Sequence, residues 1–183
     1  MKQLFLIAAL SIALSNVSTA QKYFTKNGKI TFFSKAPVEN IEAVNNQVLS
    51  VLDINTGDLA FSVLIKGFLF KKALMQEHFN ENYMESDKFP KSTFKGNISD
   101  IKKIDLTKDG SYAVIVNGEL SIHGIAKKTS ANGTIVIKAG KISATSDFTV
   151  LLEDYHIAVP KLLINNISKT IKISVGCNYE LKK

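Results

Sequence analysis

Arginine and tryptophan are absent from the 183 residues, cysteine occurs once and proline three times. All 23 basic residues are therefore lysines. Arginine's planar fork is the usual bidentate reader of guanine and phosphate, so sequence-specific nucleic-acid binding is not expected. A single cysteine excludes an internal disulfide and a multi-cysteine zinc site. Scarce proline, with 45% apolar and 21% charged residues, excludes a collagen-like fibre and a disordered chain. What remains is the size of one domain with a formal net charge of +7.

The N-terminus has the layout of an export leader. Met1-Lys2 is a short positive start, and an apolar run follows from Leu4 to Leu14. Ser18-Thr19-Ala20 places small residues at the −3 and −1 positions of a cleavage site. The apolar run is too short for the ~20 residues of a spanning helix, and Ser15, Asn16 and Ser18 break its end. Residues 1–20 therefore read as a signal peptide, and 21–183 as one exported domain. The periplasm is the expected compartment, with the extracellular medium as the alternative.

The mature chain reads mostly as strands. A first short strand, Lys29 to Phe33, follows the turn signal Asn27-Gly28, and a second runs from Val48 to Ile54. Leu59, Phe61, Val63 and Ile65 alternate with smaller or polar residues, and the phase changes at Lys66-Gly67, which suggests a bulge or bend. Thr93-Phe94-Lys95-Gly96 starts another strand. Tyr112, Val114, Val116, Gly118, Leu120 and Ile122 share one face of a long one, and Asn132-Gly133 reads as a hairpin turn. Ile142 to Leu152 and Ile171 to Leu181 repeat the period of two. About eight strands with one wet and one apolar face predict an antiparallel eight-stranded β-barrel, closed to hide its edges. The class is all-β with one inserted helix.

That helix spans Lys72 to Met84, which holds no Gly, Pro or β-branched residue. Met75, Phe79 and Tyr83 fall at i, i+4 and i+8, with Glu77, Glu81 and Glu85 on the other side, and Pro90 ends the segment.

From Met75 to Gly96 the chain resembles a segment of the YceI-like family, in which a helix leads into lysine-aromatic-proline and then threonine-phenylalanine; here these are Lys88-Phe89-Pro90 and Thr93-Phe94. Gly118 to Lys128 is similar to a second phrase of that family, with His123 where asparagine is usual. Asp147-Phe148 and Asp154-Tyr155-His156-Ile157 resemble a third. The chain departs from the pattern by being short between Gly118 and Asp147 and by the stretch Pro37 to Val51. The resemblance implies an exported lipocalin-like barrel that holds a polyisoprenoid or similar amphiphilic chain; no nucleophile-elbow serine or glycine-rich phosphate loop occurs, so no cofactor and no catalytic role are expected.

Phe61, Val63, Phe68, Phe70, Met75, Phe79, Tyr83, Phe94 and Phe148 are the large apolar groups expected to face the interior near the helix. They would line a tunnel for an isoprenoid or lipid-like chain, or simply pack on one another. Sequence does not distinguish a hollow barrel from a filled one. Lys66, Lys71 and Lys72 bracket the phase change and could meet an anionic head group, or form a solvated turn. His78 and Glu81 are an i, i+3 pair, and two ligands without a third make no zinc site. His123 reads as solvent-facing or turn-bonding. Cys177 falls on the apolar parity of the last strand and reads as a small buried hydrophobe.

The expected function is a non-enzymatic carrier or reservoir for an apolar chain, with the helix as lid. Transient contact with a membrane and a homodimer are left open as partners, and no nucleic acid is expected. The alternative is an interaction or structural protein with a filled barrel. A third class, a hydrolase or isomerase, requires His123 or His78 to point into the cavity beside a carboxylate.

Overall fold

Alternation of apolar and polar residues, sustained over strands of up to 14 residues, curls one antiparallel sheet into a closed barrel. A computed structural model describes residues 22–182; residues 1–21, where a signal peptide is expected, and Lys183 lie outside the described residues. The strands are β1 (Lys22–Lys35), β2 (Asn40–Asp53), β3 (Asp58–Leu64), β4 (Leu69–Phe70), β5 (Lys91–Ile98), β6 (Gly110–Ile122), β7 (Ile125–Lys138), β8 (Lys141–Leu151) and β9 (Thr170–Leu181). Their order is β1-β9-β8-β7-β6-β5-β3-β2, and β1 pairs back onto β2. Eight strands thus close the barrel as expected. The two-residue β4 adds to β2 through Ala43↔Phe70 and Val44↔Leu69.

The inward parity is the one read from the sequence along β6, β8 and most of β9. Tyr112, Val114, Val116 and Leu120 are more covered than Ser111, Ala113, Ile115 and Glu119. Ile142 and Ala144 on β8 and Cys177 and Tyr179 on β9 join Leu52, Leu59, Ile135 and Ile137 in the core at one end. Leu181 breaks the pattern and is exposed.

Two turn assignments are corrected. Asn132-Gly133 lies in the middle of β7, where Gly133 pairs with Val114 and Ser146. The hairpins turn at His123-Gly124 and Ala139-Gly140, each with positive φ at both positions, as a two-residue primed turn requires. A histidine and an alanine in that region are uncommon, which hides these turns from composition. Asn27-Gly28 likewise lies within β1, at two register shifts against β2. A Cβ at Gly28 would stand 3.0 Å from Cys177 Sγ and 3.1 Å from the Val48 carbonyl oxygen, so close backbone approach selects glycine there.

Gly96 and Gly118 face each other across β5 and β6. A Cβ on Gly118 would stand 2.5 Å from the Lys95 carbonyl oxygen and 2.5 Å from the edge of the Phe94 ring, which lies over the pair. Gly118→Ala must therefore part the strands or move that ring. We expect a loss of about 1–3 kcal/mol in chemical denaturation.

Candidate functional site

At Ile65–Gly67 the β3 strand ends in a tight helical turn. The phase change at Lys66-Gly67 is this turn. Asn45, fully buried on β2, holds it: its Nδ2 donates to the Leu64 carbonyl at 2.9 Å, and its Oδ1 accepts from Gln47 N at 2.9 Å. A helix α1 (Ala73–His78) follows and continues as a single π-helical turn, Phe79–Tyr83. Met84 N donates to the Phe79 carbonyl at 2.9 Å, one residue further than in an α-helix. Glu85, at φ +41°, ends the segment before Pro90 is reached. Phe79 and Tyr83 face the barrel, and Met84 is buried among Ile65, Tyr155 and Ile157.

Phe79 anchors this lid. Its ring centroid lies 5.4 Å from Phe32, 5.7 Å from Phe68 and 5.0 Å from Phe70. Its far end is tied by His123, whose Nδ1 lies 3.1 Å from the Tyr155 carbonyl oxygen and whose Nε2 lies 2.8 Å from Glu85 Oε2. The Phe89 ring packs on the imidazole at 4.6 Å. His123 is thus turn-bonding, with its side chain only 12% exposed rather than solvent-facing.

The barrel is hollow in two chambers that share Ile30, Val63, Ser92, Leu120 and Phe148 as a waist. The outer chamber, of about 350 Å³, lies beneath the lid. The inner one, of about 120 Å³, reaches down to Leu52, Leu59, Ile98 and Tyr179. Phe61 and Phe94 line the inner chamber; Phe68, Phe70, Met75, Phe79 and Tyr83 line the outer; Val63 and Phe148 line both. All nine sequence-selected residues thus line one chamber or the other. Sequence reasoning missed much of the outer wall, including Ile41, Tyr155, Ile157, Leu163, Ile167 and Ile173. Ile173 carried a usable signal, its parity on β9.

The bore is almost wholly apolar. Glu39 and His78 are the charged or readily charged groups on the outer chamber's wall, and no lysine lines either chamber. Lys66 pairs with Asp87, and Lys72 with Glu39 at 2.6 Å, while Lys71 is exposed. His78 Nδ1 accepts from Asn82 Nδ2 at 2.9 Å. His123 does have a carboxylate partner, but the pair lies outside both chambers. Among the described residues no group of three His, Cys, Asp or Glu could share an ion. Burial pushes the phenols of Tyr83 and Tyr155 up, the second with help from the Asp154 charge.

Cys177 lines the inner chamber and is buried, as its parity implied. Burial pushes its thiol up to about 11, against a lowering hydrogen bond with Tyr179. The thiolate is the reactive form. Alkylation of the folded protein at about pH 8 is thus expected to run at least ~100-fold slower than in denaturant, followed by mass spectrometry.

An antiparallel eight-stranded barrel with an apolar bore and a helical lid defines a lipocalin-like class of protein. Within it, the chain matches the YceI-like domain over residues 9–179 and belongs to the YceI-like family. A polyisoprenoid binding domain from Saccharophagus degradans, implicated in plant cell wall breakdown, has a similar fold. It is 13% identical at a TM-score of 0.74, over 89% of this chain and 99% of that one. Burkholderia cenocepacia BcnA is similar at 12% identity and a TM-score of 0.65, over 84% and 96%. The Campylobacter jejuni YceI protein is similar at 15% identity and a TM-score of 0.57, over 100% and 99%. At these identities the likeness is one of fold. No curated protein matches the chain by sequence.

Proposed function

We propose that this protein is an exported, non-catalytic carrier or reservoir that takes an isoprenoid- or lipid-like chain into its barrel. The observation that carries this reading is the pair of apolar chambers, about 350 and 120 Å³, that share five wall residues inside the barrel. The Saccharophagus degradans domain, a polyisoprenoid binder of similar fold, supports the same reading. Export rests on the leader at residues 1–20, and cell fractionation tests it. The alternative, a side-chain-filled barrel, sits poorly with the space observed.

Burying one methylene contributes roughly 0.8 kcal/mol, so a few isoprene units hold a chain without any catalytic group or ion pair. Titration of the purified mature protein with alcohols of increasing chain length, read by displacement of a fluorescent fatty-acid probe, tests this. Affinity should rise about fourfold per added methylene until the inner chamber is full, then level off. Affinity independent of chain length would contradict the reading.

A further inference from the structure

We propose that the loop end of the barrel docks on an anionic bilayer, with the loop between β8 and β9 inserting its apolar tip. In that loop Leu162 is 93% exposed and Ile164 55% exposed. Beside it, on the β1–β2 loop, Val38 is 67% exposed. The two loops form one surface: Val38 N donates to the Asn165 carbonyl at 3.0 Å, and Ser168 N donates to Ser34 Oγ at 2.9 Å.

Charge selects the partner. Lys161 and Lys169 flank the apolar tip and Lys35 precedes Val38, all exposed. Residues 155–169 contain no Asp or Glu, and neither do residues 35–38; the β8–β9 loop's two acids, Glu153 and Asp154, lie at its start, and Asp154 stands 3.8 Å from Lys127. The nearest acid on the second loop, Glu39, is neutralised by Lys72 at 2.6 Å. Exposed apolar residues interleaved with lysines, and with no acid among them, fit an interface of lipid tails beneath anionic head groups.

The surface is also continuous with the bore. Leu163 lines the outer chamber while remaining 38% exposed, and Asn166 and Ile167 of the same loop line it too. A barrel seated on this face would open its outer chamber toward the bilayer. This goes beyond the carrier reading and does not depend on it, because vesicles of plain phospholipid supply the binding partner without any cargo.

The test is co-sedimentation of the mature protein with phosphatidylcholine vesicles, with and without about 30% phosphatidylglycerol. Binding to the anionic vesicles is expected, weakening as salt rises. Lys161→Gln should weaken it about fivefold. The pair Leu162→Glu and Ile164→Glu, both at exposed positions that line neither chamber, should weaken it at least ~10-fold with the fold intact by circular dichroism. Absence of binding to anionic vesicles at low salt would overturn the proposal, as would a double variant that binds like its parent. A dimer in sedimentation velocity that the same two substitutions abolish, without vesicle binding, would assign the face to a second copy and overturn it equally.

Discussion

Phe79→Ala is expected to speed the escape of a bound chain about a hundredfold while leaving the barrel folded. Phe79 is the lid residue that meets three barrel rings, Phe32, Phe68 and Phe70, all within 5.7 Å. Truncating a core phenylalanine costs about 3–5 kcal/mol, and each aromatic pair adds roughly 0.5–1.5 kcal/mol beyond area. Phe79 is half-buried, so about 3 kcal/mol is the fair figure. That loss falls on the closed lid, because the sheet's register runs through β1–β9 and does not include the helix. At 1.4 kcal/mol per factor of ten, it becomes roughly two orders of magnitude in the opening equilibrium. Stopped-flow displacement of a preloaded fluorescent fatty acid reads the rate directly. An unchanged rate would mean that chains leave by another route.

Val63→Trp is expected to cut the affinity for long chains about a hundredfold and to spare short ones. Val63 is buried, pairs with Ser92 across β3 and β5, and sits where the two chambers meet. An indole there fills the waist and closes the inner chamber to a threaded chain. Denying burial to four methylenes is worth about 3 kcal/mol. A chain short enough to stay beneath the lid loses nothing. Overpacking costs about 1–3 kcal/mol of fold stability, so Ser92→Leu, a smaller plug at the same waist, serves as the second variant. Equal weakening for short and long chains in both variants would show that the inner chamber takes no part in binding.

Much of this architecture was legible in the sequence. The period of two along β6, β8 and β9 gave the parity of the bore wall, and the Gly- and Pro-free run from Lys72 gave the lid. The hidden parts depend on non-local contacts. Asn132-Gly133 looks like a hairpin by composition, yet the registers of β6 with β7 and β7 with β8 carry both residues straight through. The true turns use His123 and Ala139 at positive φ, which local preference does not favour. His123 holds its place through Glu85 and Tyr155, 38 and 32 positions away. The loop that supplies Leu163 and Ile167 has no periodicity, and backbone bonds such as Leu152 N to the Lys169 carbonyl fix its path. The partners of Lys66 and Lys72, Asp87 and Glu39, are 21 and 33 positions away, so these pairs were not legible from local sequence.

The most direct measurement is solvent extraction of the protein, purified from its native source without detergent, followed by mass spectrometry of the extract. The account predicts one long, mainly hydrocarbon molecule per barrel, lost when Val63→Trp closes the waist. A protein that yields no such molecule, and takes none up when offered polyprenols, would contradict it.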